Sequence, residues 1–157
     1  SFTMNGGSLT SQSGHVFHVT NTDAVITLND VKIVNEDSEK ILLSVCADGW
    51  SGGKNIATLK ASKQTLAGAV KVGNDSTLNL ELSDGSSFEG SVDGTISNAK
   101  GESISTEVGT VSVTLDSTST WTLSADSYVT SFNGNAANVT ANGHTLYVNG
   151  VALTGTK

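Results

Sequence analysis

The chain has 157 residues with 15 acidic side chains against 8 lysines, a net charge of −7, and it contains neither proline nor arginine. This charge balance argues against a nucleic-acid partner, because no basic cluster is present to face a row of phosphates. No apolar run approaches the roughly 18 residues of a membrane span, and a single cysteine, Cys46, excludes a disulfide framework. Length and uniform composition predict one domain, 1–157, which we expect to be a fragment or module of a larger protein.

Short runs of alternating apolar and polar residues follow one another along the chain, and each predicts a β-strand with one dry face. In chain order these runs are 16–19, 24–34, 41–45, 69–72, 78–82, 111–115 and 146–148. Cys46 follows the apolar run 41–45, so we expect it to be a buried small hydrophobe. Few windows of the sequence favour a helix, and the fold class is therefore all-β.

Turn-forming dipeptides separate the runs. Seven pairs of the Asn-Gly or Asp-Gly type begin at Asn5, Asp48, Asp84, Asp93, Asn133, Asn142 and Asn149. Such pairs favour turns with positive φ, and they suit antiparallel hairpins as well as parallel coils. The turn chemistry alone therefore does not distinguish a β-sandwich from a solenoid.

An internal repeat favours the solenoid. The segment 77–88 aligns with 110–121, so that its apolar residues and Phe88 match the apolar residues and Trp121 of the second segment, with a partial third copy at 24–33. A repeated unit that cannot bury its apolar face alone is typical of stacked coils. Three short strands with their connections need roughly 20–25 residues, so the sequence predicts a single-stranded right-handed parallel β-helix of roughly six or seven coils.

Aromatic residues and two irregular segments complete the pattern. Trp121 and Phe88 share the parity of the apolar positions, so we expect them in the core. Tyr128, Phe132 and Tyr147 lie near the C-terminus, where we expect them to cover the last coil. Residues 47–55 and 95–108 do not alternate, and the second of these predicts a plain polar loop.

Several segments carry a family likeness. They are Phe2-x-Met4-x-Gly6-Gly7, Gly14-x-x-Phe17-x-Val19, Ile26-Thr-Leu28-Asn-Asp-Val31, Gln64-Thr-Leu66-x-Gly68 and Ser119-Thr-Trp121. This pattern resembles right-handed parallel β-helix domains of bacterial, clostridial-type cell-surface proteins, including calcium-associated polysaccharide-binding and adhesin-like modules. The resemblance implies the coil fold, an extracellular or cell-surface location, and calcium as a candidate cofactor whose ligands no acidic motif here identifies.

Catalysis finds little support in the residues. A lyase on this fold would combine carboxylates with a basic residue, often arginine, which the chain lacks. Paired carboxylates for glycoside hydrolysis would have to converge from neighbouring coils, as Asp30 with Asp48 or Asp84 with Asp116 would. His15 and His18 are expected to face opposite sides of a strand, which disfavours a metal site. We expect no enzyme activity.

A binding surface is the better hypothesis. Trp50 lies between glycine and serine in segment 47–55, where an indole is available to stack on a sugar ring. Asp48, Lys54, Asn55 and Gln64 are close in sequence and would bind sugar hydroxyls. Their alternative role is turn chemistry, in which Asp48 and Asn55 only satisfy backbone groups, and Trp50 folds over the coil edge.

The predicted function is therefore a non-catalytic module that binds polysaccharide, such as a plant cell-wall glycan, for an extracellular bacterial protein. An acidic polymer would need bridging calcium, whereas neutral glycans would not. The alternatives are an adhesin or filament-forming surface protein, whose partners would be copies of itself or other surface proteins, and, third, a polysaccharide lyase.

Overall fold

The computed structural model describes residues 1–47 and 54–157, and these form an all-β structure. The strands are β1 (Phe2–Asn5), β2 (Ser8–Ser11), β3 (Phe17–Val19), β4 (Thr22–Asn29), β5 (Lys32–Asn35), β6 (Ile41–Val45), β7 (Asn55–Ser62), β8 (Thr65–Ala67), β9 (Ala69–Val72), β10 (Thr77–Ser83), β11 (Ser87–Gly90), β12 (Val92–Asp93), β13 (Ile96–Ser97), β14 (Ser103–Ser105), β15 (Thr110–Leu115), β16 (Thr120–Leu123), β17 (Ser127–Val129), β18 (Ser131–Asn133), β19 (Val139–Thr140), β20 (Leu146–Val148) and β21 (Val151–Ala152). One 3₁₀ turn spans Ala136–Asn138. Within the described residues, no helix is long and apolar enough to cross a membrane.

A six-stranded parallel sheet in the order β1-β4-β7-β10-β15-β18 forms the main wall of the molecule. Between successive strands of this sheet the chain passes through strands of other parallel sheets, chiefly β8-β11-β16-β19 and β3-β6-β9-β12. Parallel neighbours cannot be joined by a tight hairpin, so each return needs such a crossover. The strand order is compatible with a parallel β-helix.

The internal repeat corresponds to neighbouring strands. In the pair β10–β15, Leu78, Leu80 and Leu82 stand opposite Val111, Val113 and Leu115, as the alignment predicted. The alignment also places Phe88 opposite Trp121 in the pair β11–β16. The spacing of the repeat was therefore confirmed, because parallel strands in register place equivalent residues side by side.

The core lies between the sheets and consists of the inward residues of each strand. Phe88 and Trp121 are 1% and 0% exposed, and their rings stack with centroids 5.5 Å apart. The indole Nε1–H of Trp121 donates to the carbonyl of Gly90 at 3.0 Å, which satisfies the one polar group of this side chain. Burial of Trp121, Phe88 and Cys46 was predicted correctly.

Among the described pairs, the turns bear out the dipeptide prediction with one exception, and Asp48-Gly49 lies outside the described residues. Asp84-Gly85, Asn142-Gly143 and Asn149-Gly150 have positive φ at both residues. At Asp93-Gly94 neither residue has positive φ in the left-handed region, because Asp93 belongs to β12. Glycine is required at position 94 for a different reason, since a Cβ there would come within 2.0 Å of the backbone of Glu107.

Segment 95–108 is not the plain loop that its composition predicted. It contains an antiparallel hairpin, β13–β14, in which Ile96 pairs with Ser105. The side chain of Asn98 closes the turn by accepting hydrogen bonds from the amides of Lys100 and Glu102, at 2.9 Å and 3.0 Å. The sequence signal for alternation was weak because the paired stretches are only two and three residues long.

The C-terminal segment is tied back to the preceding strands by backbone pairing. Strand β21 pairs antiparallel with β20, and the backbone of Lys157 exchanges hydrogen bonds with Val139 and Ala141 at 2.9 Å and 2.8 Å. The expectation that tyrosines cover this end was wrong, because Tyr128 points outward and is 41% exposed. Only Phe132 of the predicted group packs against the core.

Candidate functional site

Two tyrosines stack on the outer surface beside the hairpin. Ser127, Tyr128 and Val129 alternate buried, exposed and buried in β17, so the tyrosine faces away from the core. Strand β20 pairs in register with β17 and places Tyr147 directly opposite Tyr128. Their ring centroids are 5.2 Å apart and their planes differ by 8°. The parallel register thus converts two separate Tyr residues into one aromatic surface.

This aromatic pair forms part of a cleft of about 460 Å³ between the base of the hairpin and strands β17 and β20. We call it the tyrosine cleft. The residues that line it are Asp93, Gly94, Thr95, Thr106, Glu107, Val108, Tyr128, Val129, Thr130, Tyr147, Asn149 and Gly150. Aromatic surface beside hydroxyl, amide and carboxylate groups is the combination that sugar-binding clefts use, because a sugar ring has apolar C–H faces and polar edges.

Two glycines position the hairpin that forms the second wall of the cleft. A Cβ at Gly109 would lie 2.2 Å from the carbonyl oxygen of Gly73 and 2.3 Å from that of Ser76. The close approach of Gly94 to the backbone of Glu107 holds the two sides of the hairpin base together. The amide of Thr95 also donates to the Asp93 carboxylate at 2.9 Å. Backbone contacts therefore place this wall, and larger residues at either glycine would displace it.

The two carboxylates of the tyrosine cleft differ in their partners. Both oxygens of Asp93 accept from the ammonium of Lys71, at 2.9 Å and 3.0 Å, across the β9–β12 pair. Among the described residues, the carboxylate of Glu107 has neither a hydrogen bond nor an ion pair, and the residue is exposed. Glu107 is thus the unneutralised charge of the cleft.

The binding residues predicted from sequence are distributed differently. Asp48 and Trp50 lie outside the described residues, so their predicted roles stay predictions. Lys54 is exposed just before β7. Asn55 is 7% exposed, and its side-chain oxygen accepts from the amide of Asn21 at 2.8 Å. Asn55 therefore performs the turn role that the sequence left open.

Gln64 is also used inside the protein. It is 1% exposed, its Oε1 accepts from the amide of Val31 at 2.6 Å, and its Nε2 donates to the carbonyl of Val31 at 3.0 Å. This pair of bonds gives Val31 the partners that a neighbouring strand would supply. A buried amide with these partners is out of reach of a ligand, so the structure corrects the sugar-contact prediction for Gln64.

The tyrosine cleft was missed by the sequence reasoning, although a signal exists. Tyr128 and Tyr147 each occupy the middle of a three-residue strand whose flanking residues are inward, as in Leu146-Tyr147-Val148. Alternation alone therefore indicates that both rings face outward. Their stacking could not be predicted from the sequence, because it depends on the register between β17 and β20, which are not consecutive in the chain.

The histidine prediction also needs correction. The rings of His15 and His18 are neighbours, with centroids 5.6 Å apart, rather than on opposite sides of a strand. The reason is that β3 begins at Phe17, so His15 precedes the strand and is free of its alternation. Within residues 1–47 and 54–157, no group of three or more His, Cys, Asp or Glu side chains is placed to hold a metal ion.

The predicted carboxylate pair Asp84 and Asp116 does lie in neighbouring turns. The amide of Asp84 donates to Asp116 at 3.0 Å, and the hydroxyls of Thr118 and Ser119 donate to the same carboxylate at 2.7 Å and 2.9 Å. The Thr118 hydroxyl and then the Asp84 amide stabilise the charged form and lower the pKa of Asp116 to about 2. A general acid needs the opposite shift, so this pair is suited to holding turns together.

Comparison with known proteins finds no family model, no curated protein and no solved structure that matches the chain. The resemblance to clostridial-type surface modules therefore stays a prediction.

Proposed function

We propose that this chain is a non-catalytic polysaccharide-binding module of an extracellular protein, folded as a right-handed parallel β-helix with one coil for each of the six strands of the main sheet. The parallel strand order and the in-register repeat support the coil. The single observation that carries the function is the tyrosine cleft, where an exposed, stacked aromatic pair lies beside hydroxyl, amide and carboxylate groups.

The arrangement of the cleft favours binding over catalysis. Both oxygens of the Asp93 carboxylate are engaged by the ammonium of Lys71, so they are not free to contact a reacting group. Aromatic pairs in rigid strands contact a sugar at a small cost in conformational entropy, since their side chains are already ordered. We therefore place the glycan contact at Tyr128 and Tyr147, with the exposed Asn149 of the same cleft as a partner for its hydroxyls.

A polysaccharide array, measured with and without calcium, tests this function. Tyr128→Ala should weaken the affinity for the best ligand by about tenfold, the usual effect of losing an aromatic contact at the centre of a binding site. Phe2→Ala is the matched control, because Phe2 is 43% exposed but lies in β1 rather than in the cleft. Equal affinities for the two variants would place the site elsewhere, and no binding to any glycan would contradict the function.

The measurements with and without calcium test whether calcium is a cofactor for binding. If the ligand is an acidic polymer, the net charge of −7 requires a bridging cation, and chelation should abolish binding. If the ligand is neutral or cationic, chelation should leave the affinity unchanged. The comparison separates a calcium-dependent module from one in which calcium has no role in binding.

Filament formation is the second candidate for a function. Among the described residues, the six-stranded sheet ends at β1 on one side and at β18 on the other, and such edge strands are where copies of the chain would pair. Light scattering over a range of protein concentrations tests it: concentration-dependent growth of long particles would favour the filament over the glycan-binding module.

A further inference from the structure

We infer that the tyrosine cleft selects glycans carrying protonated amines, with Glu107 as the residue that contacts the amine. This inference rests on the proposed function, and it specifies the class of sugar that the same cleft binds. It follows from which charges in the cleft are neutralised and which are not.

The two carboxylates divide the cleft into a paired and an unpaired side. Asp93 shares both oxygens with Lys71, so its charge is largely cancelled by a neighbour that is already in place. Glu107 lines the same cleft without a partner among the described residues. An exposed carboxylate is satisfied by water in the free protein, and it can accept a cationic hydrogen-bond donor from a ligand at little cost of desolvation.

The surroundings of Glu107 disfavour an acidic glycan. None of the described residues that line the cleft is a lysine, and the chain has no arginine. A uronate carboxylate would therefore meet Glu107 with no cation to compensate, and the net charge of −7 would repel the polymer at longer range. A polymer of amino sugars reverses both effects, since its charges are attracted by the whole protein as well as by the cleft.

The tyrosine pair adds a second preference for a cation. An ammonium group near an aromatic ring is attracted by the negative face of the ring, and Tyr128 offers the more exposed ring of the pair. The sugar C–H groups pack on the same aromatic surface. A glycan with amine substituents therefore has groups for both the aromatic wall and the Glu107 carboxylate, whereas a neutral glycan has groups for the aromatic wall alone.

The experiment compares three oligosaccharides of matched length: a glucosamine oligomer, its fully N-acetylated form, and a galacturonate oligomer. Calorimetric titration at mildly acidic pH, where the glucosamine amines are charged, should give the order glucosamine, then N-acetylglucosamine, with galacturonate weakest. Glu107→Gln should weaken glucosamine binding by about two- to fivefold, the range for an exposed ion pair, and leave N-acetylglucosamine binding unchanged.

Glu81→Gln is the matched control, because it makes the same change in net charge from an exposed position on the six-stranded sheet, outside the cleft. If Glu107→Gln and Glu81→Gln have equal effects on glucosamine binding, the amine contact is overturned. If N-acetylglucosamine binds as well as glucosamine and depends on Tyr128, the amine preference fails while the proposed function stands. If none of the three oligomers nor any glycan on the array binds, both fail.

Discussion

Two aromatic pairs in this protein arise from the same geometry and have opposite surroundings. Phe88 and Trp121 stack in the core with centroids 5.5 Å apart, and Tyr128 and Tyr147 stack on the surface at 5.2 Å. Each pair joins equivalent positions of parallel strands in register. The difference is one of alternation, because a side chain one position away in the strand faces the other side of the sheet. The same ladder therefore stabilises the fold when it faces inward and presents an aromatic surface to solvent when it faces outward.

The largest loss of stability is expected from a substitution in the inner pair. Trp121→Ala should lower the free energy of unfolding by about 3–5 kcal/mol, because it removes a fully buried indole and leaves a cavity beside Phe88. Chemical denaturation measures this loss. Trp121→Phe keeps the stack but removes the hydrogen bond to Gly90, so it should cost clearly less. Equal losses for the two variants would contradict the role of packing.

The next largest loss of stability should come from Gln64, a buried polar residue. Gln64→Ala leaves both the amide and the carbonyl of Val31 without partners in the core, and we expect a loss of about 2–4 kcal/mol in the free energy of unfolding. The same denaturation experiment measures it. Thr65→Ala is the control, because Thr65 is the exposed neighbour in the chain. A loss below that of the control would show that Gln64 does not support Val31.

The outer pair should matter much less for stability. Tyr128→Ala should lower the free energy of unfolding by about 0.5–1.5 kcal/mol, since an aromatic stack contributes that much and the ring is already 41% exposed. Read beside its predicted tenfold loss of glycan affinity, this result would separate a binding role from a structural one. A loss as large as that of Trp121→Ala would remove the distinction between the two pairs.

The smallest effect is expected from Asp116, a half-buried residue in a turn, and it depends on pH. The pKa of Asp116 is about 2 in the folded protein against an ordinary value of 3.8. Since the folded state holds the proton more weakly, Asp116 stabilises the fold above about pH 4, and this contribution is lost as the pH falls through about 2.

Thermal denaturation of Asp116→Asn across this range tests the assignment. The variant should differ from the parent at neutral pH and approach it near pH 2. Some acid dependence should remain in the variant, because the amides of Gly14 and Glu39 also lower the pKa of Asp37. A constant difference at every pH would show that the Asp116 charge is not the cause.

The candidate site was predicted less well than the core, for reasons visible in particular residues. Val111, Leu115 and Trp121 were assigned to the core from alternation and repeat alone. In a strand of four or more residues, the buried face is visible in the sequence as alternating apolar positions. Asn55 and Gln64 have the chemistry of ligand contacts, yet their side chains form hydrogen bonds with backbone groups in other parts of the chain. A single sequence does not distinguish these uses, since the partner groups are far along the chain.

The sequence by itself determined the all-β class, the inward parity of the repeat and the positive-φ turns, because each depends on residues within one strand or one turn. Only the tertiary structure decided that Tyr128 stacks on Tyr147, that the hairpin β13–β14 forms the facing wall, and that Glu107 has no charge partner among the described residues. Those features depend on the register between strands that are separated along the chain, which connections of unequal length determine and local alternation does not encode.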